Sequence, residues 1–144
     1  MSAYYTHQAQ IEGVVKGFEL CTTKKDEFTH QSHLTVAVWY LLNYNEEQAT
    51  EKMRQGLHGF LEHLGVGQEK YHETLTVFWI KTVRELLARL DQRSSLLART
   101  NVVVERLGTS RLVFHYYSKE LLESADARNH WVEPDLKPLV GDLK

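Results

Sequence analysis

The sequence predicts an all-α fold, in which a single-domain bundle of about five to six helices is followed by an extended C-terminal tail. Residues 1–133 contain no proline, because Pro134 and Pro138 are the only two in the chain. Apolar residues recur at helical spacing in successive segments, and residues that favour helix caps separate these segments. With 42% hydrophobic and 25% charged residues, 144 residues suffice for one ordinary globular core, so residues 1–144 are predicted as one domain.

Two helices are predicted in the first third of the chain. The first runs from about Thr6 to Cys21, and a polar connection follows it. The second begins near Thr29, with Thr29 or Asp26 as its N-cap, and ends near Asn43. Five of its residues have the spacing that places them on one helix face, namely His30, His33, Leu34, Ala37 and Leu41.

A third and a fourth helix follow. Asn45 caps the third helix, with Gln48 reaching back to it in a capping box, and Gly65 ends this helix in the left-handed conformation. The fourth helix is the longest and runs from about Glu69 to Gln92. Its apolar stripe comprises His72, Leu75, Thr76, Trp79, Val83, Leu86, Leu87 and Leu90.

A fifth helix is predicted to start at Ser94 or Ser95 and to end at Gly108. The run Val102–Val104 within it has the β-branched composition of a strand. The residues on both sides of this run favour helix, so helix is predicted for the whole segment.

The C-terminal region is predicted as a short helix and a tail. Ser124 caps this helix, which continues through Trp131. The tail, residues 133–139, must be extended because proline disfavours helix at the residue before it. Leu136 and Leu139 are expected to hold the tail against the body of the domain.

Composition and charge argue against several classes of partner. The net charge of −2 and the absence of any Lys/Arg run longer than Lys24-Lys25 argue against a nucleic-acid-binding protein. The longest apolar run, Leu34–Leu42, is well short of the ~20 residues that span a bilayer, and residues 1–10 lack the features of a signal peptide. Cys21 is the only cysteine, so no internal disulfide forms, which is typical of the reducing cytoplasm. We therefore expect a cytoplasmic protein that binds neither nucleic acid nor membrane.

Three histidines form the strongest candidate site. His30 and His33 are three residues apart on one helix face, where two imidazoles can bind the same ion. His72 occupies the corresponding place at the start of another helix. The positive end of a helix dipole disfavours imidazolium, so it keeps these rings in the neutral form that a metal needs. The pattern predicts one divalent ion, Zn, Fe, Mn or Ni, if the two helix starts lie side by side.

The residues next to His72 supply the other candidates. Glu73 is the candidate catalytic residue, as a general base toward a metal-bound water, although it points about 100° away from His72 around the helix. It can equally serve only to complement the helix dipole. Tyr71 and Thr76 are candidate ligand-binding residues, and Thr76 can instead bond back to its own helix.

Three motifs also carry a family resemblance. They are F-x-H-x-x-H-L at Phe28–Leu34, K-Y-H-E-T-x-T at Lys70–Thr76 and W-V-x-P-D-L-x-P at residues 131–138. With these motifs in this order, the chain resembles a family of short uncharacterised bacterial helical proteins from about Gly17 to Leu139. The resemblance implies a stand-alone helical domain and brings no activity, substrate or cofactor with it.

Three functional hypotheses follow from the sequence. The first is a small helical metal-binding protein, a metal-dependent hydrolase or oxidoreductase. The second is a non-catalytic interaction module with structural histidines, in which Tyr4, Tyr5, Trp131 and the tail form an oligomer or partner surface. The third is a pocket for a small-molecule ligand between helices. Convergence of three histidine nitrogens would favour the first hypothesis, and separate bonds to backbone carbonyls would favour the second. Retention of a ligand in native mass spectrometry would support the third.

Overall fold

Residues 4–139 of the chain are described by a computed structural model, and they form an all-α fold without strands, as the sequence predicts. No helix in this range combines the length and apolar character needed to cross a membrane. The five longer helices are α1 Gln8–Glu19, α2 His30–Asn43, α3 Glu46–Leu64, α4 Glu73–Arg89 and α5 Leu96–Arg106, and the short ones are α6 Lys119–Leu122 and α7 Ala125–Asn129. Short 3₁₀ helices are formed by Lys25–Glu27, Gln68–Lys70 and Ser110–His115.

Local capping interactions set most helix starts. The side chain of Thr29 accepts a hydrogen bond from a backbone N–H in the first turn of α2, and Ser95 does the same for α5. At α3, Asn45 accepts from the Gln48 N–H at 2.8 Å, and the Gln48 side chain accepts from the Asn45 N–H at 3.2 Å. Gly65 ends α3 at φ 73°, in the left-handed region. These predicted caps are confirmed.

Several helix boundaries differ from the prediction. α1 is shorter at both ends than the predicted Thr6 to Cys21. α4 begins at Glu73 and not near Glu69, because the preceding residues form a 3₁₀ turn and His72 serves as the N-cap. α7 ends at Asn129, before Trp131, and the short α6 was not predicted.

α2 is the central helix of the bundle. Every residue from Leu34 to Val38 is inaccessible to solvent, although five consecutive residues point in all directions around a helix. A helix buried on all sides needs neighbours on all sides, and α2 packs against α1, α3, α4 and α5. The apolar run that begins at Leu34 is therefore the centre of the fold.

The C-terminal tail is fixed mainly by polar contacts. The Leu136 N–H donates to the Tyr116 carbonyl at 2.9 Å. The Asp135 carboxylate accepts from the Ser118 N–H at 2.8 Å and from the Ser118 hydroxyl at 2.6 Å. Leu139 packs against the core, as expected, but the Leu136 side chain is 58% exposed. Leu136 thus attaches the tail through its backbone N–H and not through its side chain.

The N-terminal segment is also attached to the core. Tyr5 is buried, and its hydroxyl shares a hydrogen bond of 2.8 Å with Thr35 in α2. The backbone N–H and carbonyl of Tyr5 both bond to the side-chain amide of Asn101 in α5. Of the two tyrosines suggested for a partner surface, only Tyr4 is exposed.

Two glycines of α3 provide a matched test of packing. A Cβ at Gly56 would overlap the buried ring of Phe18, which is stacked on Phe28 at 4.9 Å, whereas a Cβ at Gly59 meets nothing within 4 Å. We expect Gly56→Ala to lower the free energy of unfolding by about 1–3 kcal/mol through overpacking. Gly59→Ala should raise it by up to about 1 kcal/mol, because alanine favours helix. Urea unfolding followed by circular dichroism measures both, and equal effects would contradict the Phe18 contact.

Candidate functional site

An apolar cavity of about 470 Å³ lies between the start of α2, the second half of α3 and the start of α4. Helix α3 contributes one stripe of its wall, and α4 contributes another through Leu75 and Trp79. Phe28 and Phe60 meet at its edge, with ring centroids 5.2 Å apart. The wall residues of α3 are Leu57, Phe60, Leu61 and Leu64.

The structure brings some of the predicted site residues together at this cavity and separates others from it. His30 and Glu73 do not line it, so the predicted trio of histidines does not meet at this wall. Among residues 4–139, no three His, Cys, Asp or Glu side chains form a group that could hold a metal ion. The shared metal ion therefore stays a prediction. The predicted residues that do line the cavity are His33, Tyr71, His72 and Thr76.

His30, the first residue of α2, is directed toward the end of α5. Its Nε2 lies 2.9 Å from the Leu107 carbonyl oxygen, which can only accept, so Nε2 carries a proton. The ring also contacts Trp79 edge to face, with centroids 4.6 Å apart. Burial lowers the pKa of His30, against the opposing effect of the Leu107 bond. The ring is thus neutral near pH 7 and joins two helix ends.

His72 uses both ring nitrogens in hydrogen bonds. As the N-cap of α4 it accepts at Nδ1 from the Leu75 N–H, at 3.2 Å. Its Nε2 donates to the Leu122 carbonyl in α6, at 2.7 Å. Burial is the main cause that lowers the pKa of His72, which favours the neutral ring. In this arrangement His72 has no nitrogen lone pair left for a metal ion.

His33 differs from the other two histidines because its Nε2 has no partner. This atom is buried and has no hydrogen-bond partner within residues 4–139, although the residue as a whole is only partly buried. Burial, with a smaller contribution from the charge of His30, lowers the pKa of His33 to about 4. A buried unpaired nitrogen is costly, and native proteins usually give such an atom a partner. His33 is therefore a residue of the cavity wall that contains a buried nitrogen without a partner.

Glu73 is held in an ion pair. Arg54 of α3 donates from Nε and from a terminal nitrogen to its two carboxylate oxygens, at 3.0 and 2.6 Å. The Tyr71 hydroxyl donates to the same carboxylate at 2.6 Å. Arg54 is the main cause that lowers the pKa of Glu73. A carboxylate with a lowered pKa is a weak general base, so this geometry favours a structural role.

Tyr71 and Thr76 also make contacts inside the protein. The Tyr71 ring packs on His58, with centroids 4.1 Å apart, and burial together with Glu73 raises the pKa of Tyr71. The Thr76 hydroxyl donates to the His72 carbonyl of its own helix at 2.9 Å, which is the alternative that the sequence left open. Both residues can still contact a ligand through their remaining surfaces.

A second, smaller cavity of about 340 Å³ lies beyond His72, Leu75 and Trp79, which line both cavities. Its rim carries charges of both signs, from Glu123 and Arg128 among others. Of the two, the larger cavity is the candidate site because only its wall contains a buried polar atom without a partner.

Three charged residues of this region were not predicted as site residues. Arg54 is separated from Glu73 by 19 positions, and nothing in the local pattern of α3 indicates the pair. Lys25 and Lys70 line the cavity, and both lie in 3₁₀ turns just before a helix. Lys70 is the first residue of the motif Lys70–Thr76, and this position was the available signal.

None of the family models, curated proteins or solved structures compared with the chain matches it. The resemblance to a family of short bacterial helical proteins therefore stays a prediction. The chemistry of the cavity wall is the remaining guide to function.

Two variants separate the roles of His72. Asparagine is a good N-cap but cannot reach the Leu122 carbonyl, so His72→Asn should lose only that bond, at a cost of about 1 kcal/mol. His72→Ala loses the cap as well, so its free energy of unfolding should be about 1 kcal/mol lower than that of His72→Asn. Urea unfolding measures both, and equal stability of the two variants would contradict the capping role.

The low pKa of His33 predicts a pH dependence of stability. The unfolded chain binds a proton near the ordinary value of 6.5, whereas the folded chain binds it only near pH 4, so stability should fall as pH falls between these values. Between pH 7.5 and 5 the wild type should lose roughly 2 kcal/mol more than His33→Leu, which cannot be protonated. Urea unfolding at both pH values tests this, and identical losses would show that His33 is not buried as described.

Proposed function

We propose that this chain is a non-enzymatic binding protein that holds a small, largely apolar molecule in the cavity between α2, α3 and α4. The observation that carries the proposal is the cavity itself, which has a volume of about 470 Å³ and a wall formed mostly by leucine and aromatic side chains.

The size and lining of the cavity support the proposal. Its volume of about 470 Å³ is within the range of roughly 300–1,000 Å³ that holds drug-sized ligands. Leucine and aromatic side chains form most of the wall, and the side chains with polar groups are Lys25, His33, Lys70, Tyr71, His72 and Thr76. This combination is typical of a binding site, in which apolar contact supplies affinity and a few polar groups supply orientation.

Binding is favoured over catalysis because Glu73, the candidate catalytic residue, and two of the polar side chains near it already have partners. His72 uses both ring nitrogens, Glu73 is paired with Arg54, and the Thr76 hydroxyl donates to its own helix. A catalytic base or nucleophile must be available to a substrate. These side chains instead hold the helices that form the wall.

Binding of the uncharged dye N-phenyl-1-naphthylamine, whose fluorescence rises in apolar surroundings, tests the proposal. We expect saturable binding by the wild type. Leu61→Trp places a larger side chain on the cavity wall and should weaken binding by roughly tenfold or more. Leu20→Trp, at a position 68% exposed and outside the wall, is the matched control and should bind like the wild type.

Folding of both variants is checked by circular dichroism and urea unfolding. Val66→Trp, on the loop after α3, is a second blocking variant if Leu61→Trp does not fold. Equal dye binding by the blocking and control variants, or no binding by the wild type, would contradict the proposed function.

A further inference from the structure

Two lysines supply the charge of the cavity wall. Lys25 and Lys70 are exposed and line the cavity from the 3₁₀ turns before α2 and α4. Neither ammonium group has an ion-pair or hydrogen-bond partner within residues 4–139. Each lysine is therefore available to an anionic group at the mouth of the cavity.

The other titratable residues of the wall are neutral near pH 7. Burial lowers the pKa of His33 and of His72, and it raises the pKa of Tyr71. No aspartate or glutamate is part of the wall, although Asp26, Glu27 and Glu69 adjoin the two lysines in sequence. The wall thus carries two positive charges and no negative charge.

The wall lacks the features of a phosphate site. Phosphate is commonly held by the planar fork of arginine or by backbone N–H groups at a helix start. No arginine lines the cavity, and at the start of α4 the Leu75 N–H is already bonded to His72. Two flexible lysines beside a large apolar surface fit a single small anion attached to an apolar body.

We propose that the ligand is an amphipathic monocarboxylate. Its apolar body lies against the leucine and aromatic wall, and its carboxylate lies at the mouth beside Lys25 and Lys70. This inference rests on the proposed binding function and adds the chemical class of the ligand. The body is a short aliphatic chain or a fused aromatic ring, because both fit a wall of mixed leucine and aromatic residues.

Competition against N-phenyl-1-naphthylamine tests the inference with probes that differ in charge. Octanoate should bind roughly threefold to tenfold more tightly than 1-octanol, and octyltrimethylammonium should bind most weakly. The advantage of octanoate should shrink in about 0.5 M NaCl, because salt screens exposed charges. The same comparison of 2-naphthoate with 2-naphthalenemethanol shows whether a ring or a chain is preferred, and a charge preference in either pair supports the proposal.

A double variant assigns the charge preference to the two lysines. Lys25→Gln/Lys70→Gln should bind octanoate and 1-octanol about equally. Lys16→Gln/Lys24→Gln changes the net charge by the same amount at exposed positions outside the wall and should keep the preference.

Two kinds of failure are distinguishable. If the dye and 1-octanol bind but octanoate has no advantage, or if the Lys25→Gln/Lys70→Gln variant keeps that advantage, the monocarboxylate inference is overturned and the binding function stands. If neither the dye nor any of the probes binds the folded wild type, the proposed function fails and this inference fails with it.

Discussion

The middle of helix α2 is buried without interruption from Leu34 to Val38, so this part of the helix offers no face to solvent, and four other helices pack around α2. A helix in this position brings its first turn, which is polar, to the edge of the core. Each polar group there needs a partner that the surrounding helices supply. His30 finds one in the Leu107 carbonyl, whereas the Nε2 of His33 finds none among the described residues. The cavity lies where this central helix leaves a polar atom unsatisfied.

Two histidine side chains join ends of helices that are not connected directly by a loop. His30 links the start of α2 to the end of α5, and His72 links the start of α4 to α6, each through a backbone carbonyl. Terminal carbonyls of a helix lack partners within the helix itself, so a neutral imidazole N–H is well suited to them. A neutral imidazole, which a metal site would need, is thus also the form that makes these structural hydrogen bonds. A histidine at the start of a helix is therefore ambiguous evidence of metal binding.

Much of the fold follows from interactions between residues close in sequence. Thr29, Asn45 and Ser95 cap helices through bonds that span three residues, and such patterns are visible in the chain itself. His72 shows the limit of this approach, because an imidazole is an unusual cap and its partner Leu122 lies 50 residues away. The shared helix face of His30 and His33 was likewise visible, but the carbonyl that His30 meets depends on tertiary packing. A cavity between three helices leaves no local signal, and only the apolar stripes that form its wall could be predicted.

Trp79 has a position that the other two tryptophans lack. It lines the cavity, whereas Trp39 and Trp131 do not. Its indole is buried and packs against the ring of His30. It also lines the cavity, so a change in the contents of the cavity would change its surroundings. Indole emission responds to the polarity and quenching groups around it. The chain therefore contains an intrinsic fluorescent probe of its own cavity. Replacing Trp39 and Trp131 would leave Trp79 as the one indole, whose emission would report occupancy of the cavity without any added label.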